Sequence, residues 1–133
     1  MPTIRIGIEQ ESGFTRFVCS GRATLEGFRE IVECIRATMA DPSRGHKVFV
    51  DLTDMEGGLP EFEKFSLGEF AAPRLLGLRV GAWMNPQIPI TRFGENTAVN
   101  RGATLLVSHD EEELHRWLAL PFPVSSVQSR PTG

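Results

Sequence analysis

The chain has 133 residues, of which 41% are apolar and 23% charged, with a net charge of −3. That length buries a core without needing a disulfide or a structural metal, and the composition is that of a folded chain rather than a disordered one. The mild acidity, with arginines scattered among acids, argues against a nucleic-acid binder, which needs clustered Lys and Arg to neutralise phosphates.

No apolar run approaches the roughly 20 residues of a membrane span. The opening MPTIRIGIEQE turns acidic early and has no cleavable apolar core, so the expected location is the cytoplasm. Cys19 and Cys34 fit neither a CxxC redox motif nor a zinc site and read as small buried hydrophobes.

From Thr3 to Glu9 apolar and polar residues alternate, the pattern of a half-buried strand. A turn at Glu11-Ser12-Gly13 leads to a second strand, Phe14 to Ser20, and the two read as a hairpin. Thr24 is a good N-cap for a helix running to about Met39, with Glu26 in its first turn. Leu25, Phe28, Ile31, Val32, Ile35 and Met39 form its apolar stripe. Asp41 to Gly45 stops it.

The next segment, Lys47 to Asp54, reads KVFVDLTD. Its apolar residues run without alternation, as in a central strand covered on both faces. Glu56-Gly57-Gly58 breaks the chain. Helical segments are expected from Pro60 to Leu76, with Pro60 at a first helical position and with Gly68 and Pro73 opposing one straight helix. Arg79 to Met84 is a fourth strand, and Pro86 and Pro89 mark a loop. A helix from about Thr91 ends at Gly102, a C′ glycine. Ala103 to Ser108 is a fifth strand. Ser108 or Asp110 then caps a last helix whose inner face is Leu114, Trp117 and Leu118. The expected organisation is one domain over residues 1–120 and an extended tail over 121–133. The order is ββαβαβαβα, an α/β chain with a mixed sheet and right-handed crossovers.

In open α/β sheets, ligands sit beyond the carboxyl ends of the strands. Those ends carry Asp51, Thr53 and Asp54, then Met84 and Asn85, then Ser108 and His109. Two carboxylates near a histidine suit acid–base work or a cation. The competing reading is that Asp51 and Asp54 accept hydrogen bonds from loop N–H groups. His46, His109 and His115 are too dispersed for a local metal site, and His115 reads as a surface residue. Phe62, Phe65 and Phe70, with Trp83, either line an apolar pocket or belong to the core. No phosphate-cradling loop, GxSxG elbow or other catalytic signature occurs, and no cofactor is expected.

Three segments resemble SpoIIAA-like proteins of the STAS fold group: SGRATLEGFREIV at the first helix, VFVDLTDME at the central strand, and GATLLVSHDEEELHRWL at the end. The resemblance implies a mixed sheet of about five strands flanked by about four helices, with no catalytic machinery. In anti-anti-sigma members the loop after the central strand carries a phosphoacceptor serine. Here that place is occupied by about Leu59-Pro60, and the first serine beyond it is Ser66. A small stand-alone branch is likened to lipid-binding Sec14-type domains.

The expectation is therefore a non-enzymatic module that binds a protein partner or a small apolar ligand. The first alternative is a Sec14-like binder enclosing its ligand with Phe62, Phe65, Phe70 and Trp83. The second is an enzyme using Asp51, Asp54 and His109. A homodimer is also expected if the opening hairpin leaves a strand edge free.

Overall fold

The computed structural model describes residues 4–121. The tail expected beyond Pro121 lies outside them. Five strands and four helices follow the expected order. They are β1 (Ile4–Glu11), β2 (Phe14–Arg22), α1 (Leu25–Thr38), β3 (Lys47–Glu56), α2 (Glu61–Arg74), β4 (Arg79–Met84), α3 (Phe93–Asn100), β5 (Thr104–Ser108) and α4 (Glu111–Ala119). A single 3₁₀ turn at Pro42–Arg44 ends the passage from α1 to β3. The strands lie side by side in chain order. Only β1 and β2 are antiparallel, and the other pairs are parallel.

Parallel neighbours need a crossover, and right-handed crossovers put successive helices on one face. Accordingly Ile31, Val32 and Ile35 of α1 and Ala71 of α2 share one core with Val48, Val50 and Leu52 of β3 and Val80 and Ala82 of β4. On α3, Ala98 packs on Ala72 of α2 and Ala103 before β5. Among the described residues, the helix covering the opposite face of the sheet is α4, through Leu114 and Leu118 against Phe49. This explains the unbroken apolar run in β3. Val48 and Val50 point one way and Phe49 the other, and all three are buried. Each such side chain contributes roughly 1.5–3 kcal/mol on leaving water.

The Thr24 cap forms as expected, its hydroxyl accepting from Gly27 N at 2.9 Å. For α4 the cap is Asp110, whose carboxylate accepts from the backbone of Glu112 and Glu113. Ser108 sits just outside, accepting from Asp110 N and donating to Glu113.

Three expectations are corrected. Pro60 is the N-cap residue of α2 rather than its first helical position. The segment after it is one helix, not several. Pro73 is tolerated because it lies in the last turn and faces solvent, where it forfeits a single backbone bond. Gly68 is a contact residue, since a Cβ there would stand 2.7 Å from Gly94 O and 2.8 Å from Thr97 Cβ, so α2 and α3 could not approach as they do. His115 is half-buried and stacks on Phe49, with ring centroids 4.9 Å apart, so it is not simply a surface residue.

Candidate functional site

Between the sheet and its helices α1 and α2 lies a cavity of about 190 Å³. Its walls come from residues that face each other across the core: Phe28 and Ile31 of α1, Leu67 and Ala71 of α2, Leu52 of β3, Ala82 of β4. Small residues at Gly68, Ala71, Ala82 and Ala98 leave the space open. Apart from Lys64, Thr91, Arg92 and Glu95, every side chain lining it is apolar.

The cavity opens at the carboxyl ends of β3 and β4, where two loops form its mouth. Gly57, Gly58 and Leu59 stand on one side, and Ile88, Pro89, Ile90 and Thr91 on the other. The polar groups gather there. Lys64 Nζ donates to Thr91 Oγ1 at 2.9 Å and lies 3.4 Å from the Glu61 carboxylate. Arg92 pairs with Glu95 and donates to Val107 O at 2.8 Å. Glu95 also accepts from Val107 N at 3.3 Å. Among the described residues Arg92 is the only non-glycine with positive φ, at 70°. A left-handed arginine is strained by roughly 1–2 kcal/mol, and its two partners hold it there.

The side chains singled out in the sequence fall elsewhere. None of Asp51, Asp54, Phe62, Phe65, Phe70, Trp83, Asn85 and His109 lines the cavity. Phe62 is 76% exposed. Phe65 lies under the Arg101 guanidinium, 5.4 Å from ring centroid to Cζ. Phe70 packs against the main core between Arg74 and Arg29. Trp83 faces the α4 side, its ring edge-on to Phe49. Helical and strand geometry, not aromatic content, decides which residues reach the cavity.

Three of the eight shape the mouth indirectly. Asn85 Oδ1 accepts from Gln87 N at 2.9 Å, and Asn85 O accepts from Ile88 N at the same distance, forming a turn. His109 Nε2 lies 2.7 Å from Ile88 O, so the imidazole donates through that nitrogen. The indole of Trp83 donates to His109 O at 3.1 Å. Trp83, Asn85 and His109 therefore set the position of Ile88, which is a cavity wall.

Asp51 performs a structural task. The register of β2 on β3 shifts between Val18 and Ser20, where β3 carries an extra residue. A bulge of this kind leaves a backbone group unpaired. Asp51 Oδ1 accepts from Thr53 N at 2.9 Å and from Thr53 Oγ1 at 2.6 Å, which satisfies it. Its other oxygen accepts from Arg16 Nη2 at 3.3 Å. The Arg16 guanidinium lies over the Phe49 ring at 4.7 Å and has Glu9 and Glu111 within 3.9 Å. Asp54 is exposed. Asp51 is opposite Trp83, which is opposite Ser108, so Asp51 and the residue before His109 are two strand spacings apart, roughly 10 Å. With the His109 ring committed to Ile88 O, these groups do not form an acid–base pair.

Burial first, then Cys34 and Asp51, push the Cys19 thiol up to about 12, which keeps it protonated. Among the described residues no three His, Cys, Asp or Glu side chains are grouped to hold a metal, and no helix is long and apolar enough to cross a membrane. Leu59 lies in the cavity mouth and Pro60 is the N-cap residue of α2. Ser66 is inside α2.

No protein-family model matches the chain, and no curated protein matches it. Among solved structures it is similar to the crystal structure of an uncharacterised protein of the DUF3478 family with a SpoIIAA-like fold, from Shewanella loihica PV-4. The two are 18% identical over 86% of this chain and 93% of that one, with a TM-score of 0.49.

Proposed function

We propose that the chain is a non-enzymatic binding module that takes a small apolar molecule into the cavity beneath α1 and α2. The observation that carries this reading is the cavity itself, apolar in its walls and polar only at its mouth. An apolar void of about 150 Å³ stays dry and admits a benzene-sized guest. At about 190 Å³, this one suits a single ring or a short branched chain. That is below the ~300–1,000 Å³ of pockets for drug-sized ligands. A long acyl chain would therefore have to protrude between the two loops. The Phe/Trp-lined version of a Sec14-like site gains no support, because those aromatics stand outside the walls.

The test uses Ala82, which is 7% exposed and lines the cavity from β4. Ala82→Leu fills part of the void, so the apo protein should be as stable as the parent or more so. Indole, titrated in a thermal-shift experiment, should raise the melting temperature of the parent but not of Ala82→Leu. An equal response in both proteins, or none in either together with no small molecule retained in native mass spectrometry, would sink the reading.

A further inference from the structure

The two edges of the sheet are treated differently. At β5 the outward backbone of Val107 is already occupied, its N–H by Glu95 and its C=O by Arg92. At β1 no described side chain performs that service. The groups of β1 that point outward can be identified. Ala23 N donates to Glu56 O, so odd residues of β2 direct their backbone groups to β3 and even ones to β1. Phe14 is thus hydrogen-bonded to Glu11 across the two-residue turn, and β1 turns its odd residues inward. The N–H and C=O groups of Ile4, Ile6, Ile8 and Gln10 face outward. Such an edge is ordinarily blunted by Pro, a bulge or uniform charge. From Ile4 to Glu11, β1 has no Pro and pairs with β2 without a register break.

We infer that β1 pairs antiparallel with β1 of a second copy of this chain, about a two-fold axis at Gly7. This register sets Ile4 opposite Gln10 of the second copy and Ile6 opposite Ile8, all with outward backbone groups, so every free donor and acceptor of that stretch is used. It also sets Arg5 opposite Glu9, and Glu9 opposite Arg5, as the closer, non-hydrogen-bonded pairs. Opposite charges directly across a strand pair stabilise it and like charges destabilise it. The alternatives are poorer. Centring on Ile6 opposes Arg5 to Gly7, and centring on Ile8 leaves Ile4 without a partner. Ile8, 43% exposed, would be covered by Ile6 of the second copy. The product is one continuous sheet running through both copies. The occupant is specified by the strand itself, because its charge pattern is complementary to its own reverse.

The experiment is light scattering across a concentration series on the full chain, with circular dichroism reporting folding. The parent should move toward dimer mass as concentration rises. Arg5→Glu sets a carboxylate against a carboxylate at both cross-strand pairs, and Glu9→Arg sets a guanidinium against a guanidinium. Each variant alone should therefore dimerise at least about tenfold more weakly. Mixed in equal amounts, the two variants regain opposite charges at both pairs and should form a heterodimer. Ile8→Pro removes an outward N–H while leaving the β1–β2 hydrogen bonds intact, and should also be monomeric. A parent that stays monomeric throughout, or a dimer indifferent to these folded variants, would overturn the inference. So would a mixture of the two charge variants that stays monomeric.

Discussion

Arg79 opens β4 and is 0% exposed. Its guanidinium donates to Trp117 O at 2.7 Å, Leu120 O at 3.1 Å and Pro121 O at 3.0 Å, and lies 5.2 Å from the Trp117 ring centroid. These are carbonyls at the C-terminal end of α4, where a helix leaves its last C=O groups without partners and carries partial negative charge. Burial lowers the guanidinium's pKa, but an arginine remains charged in proteins. Arg79→Met keeps the length of the side chain and removes the donors. Each charge-assisted hydrogen bond lost is destabilising by about 1.5–3 kcal/mol, offset in part because Trp117 O keeps the Leu120 N–H, Leu120 and Pro121 are exposed residues, and no guanidinium need be desolvated. A net loss of about 3–5 kcal/mol follows from three charge-assisted hydrogen bonds less these offsets. That is a large share of a typical ~5–15 kcal/mol. For a chain of this size it corresponds to a fall of about 10–20 °C in melting temperature. Arg79→Lys should lose an intermediate amount, since one ammonium cannot reach three carbonyls as a planar fork does. Thermal melts by circular dichroism and urea unfolding followed by tryptophan fluorescence both measure this. An Arg79→Met protein within ~1 kcal/mol of the parent by both methods would refute the idea that Arg79 fastens α4 to the sheet.

Gly68→Ala should destabilise by about 1–3 kcal/mol in urea unfolding, because the added Cβ forces α2 and α3 apart. A gain in stability, as helix propensity alone would suggest, would contradict the observed contact. His46 supplies a pH dependence of defined sign. Burial, then the charges of Lys47 and Arg79, hold its pKa in the folded chain below the usual 6.5. The unfolded chain therefore binds the proton more readily, and stability falls as pH drops from 6.5 toward the folded value. Above 6.5 the ring is neutral in both states and contributes nothing. His46→Gln should flatten that part of the stability–pH curve, and an unchanged slope would disprove the assignment. Glu33, held low by hydrogen bonds from Arg74 and Arg36, acts in a lower window, its contribution present above 4.5 and lost as pH falls through its folded value.

Most of the frame was legible before any tertiary contact was known. Thr24, the apolar stripe of α1, the strand from Arg79 to Met84 and the glycine after α3 are local signals, because capping, periodicity and positive φ act within a few residues. Gly68 and Pro73 were legible only in part. Sequence rules count them as helix breakers, whereas Gly68 is specified by α3, a partner remote in the chain. Asp51 reads as a strand-end carboxylate in the sequence, whereas β3 runs on to Glu56 and places it mid-strand, where its task depends on a bulge set by the register of β2 on β3.

The element order and the burial of β3 on both faces are written in neighbouring residues. The place of the cavity, by contrast, depends on contacts between distant segments. A void forms where Gly68, Ala71, Ala82 and Ala98 fail to fill the space between elements far apart in the chain. An absence of side-chain volume has no periodicity to read. The conspicuous aromatics at Phe62, Phe65, Phe70 and Trp83 instead pack on arginines, face solvent, or cover the opposite face of the sheet.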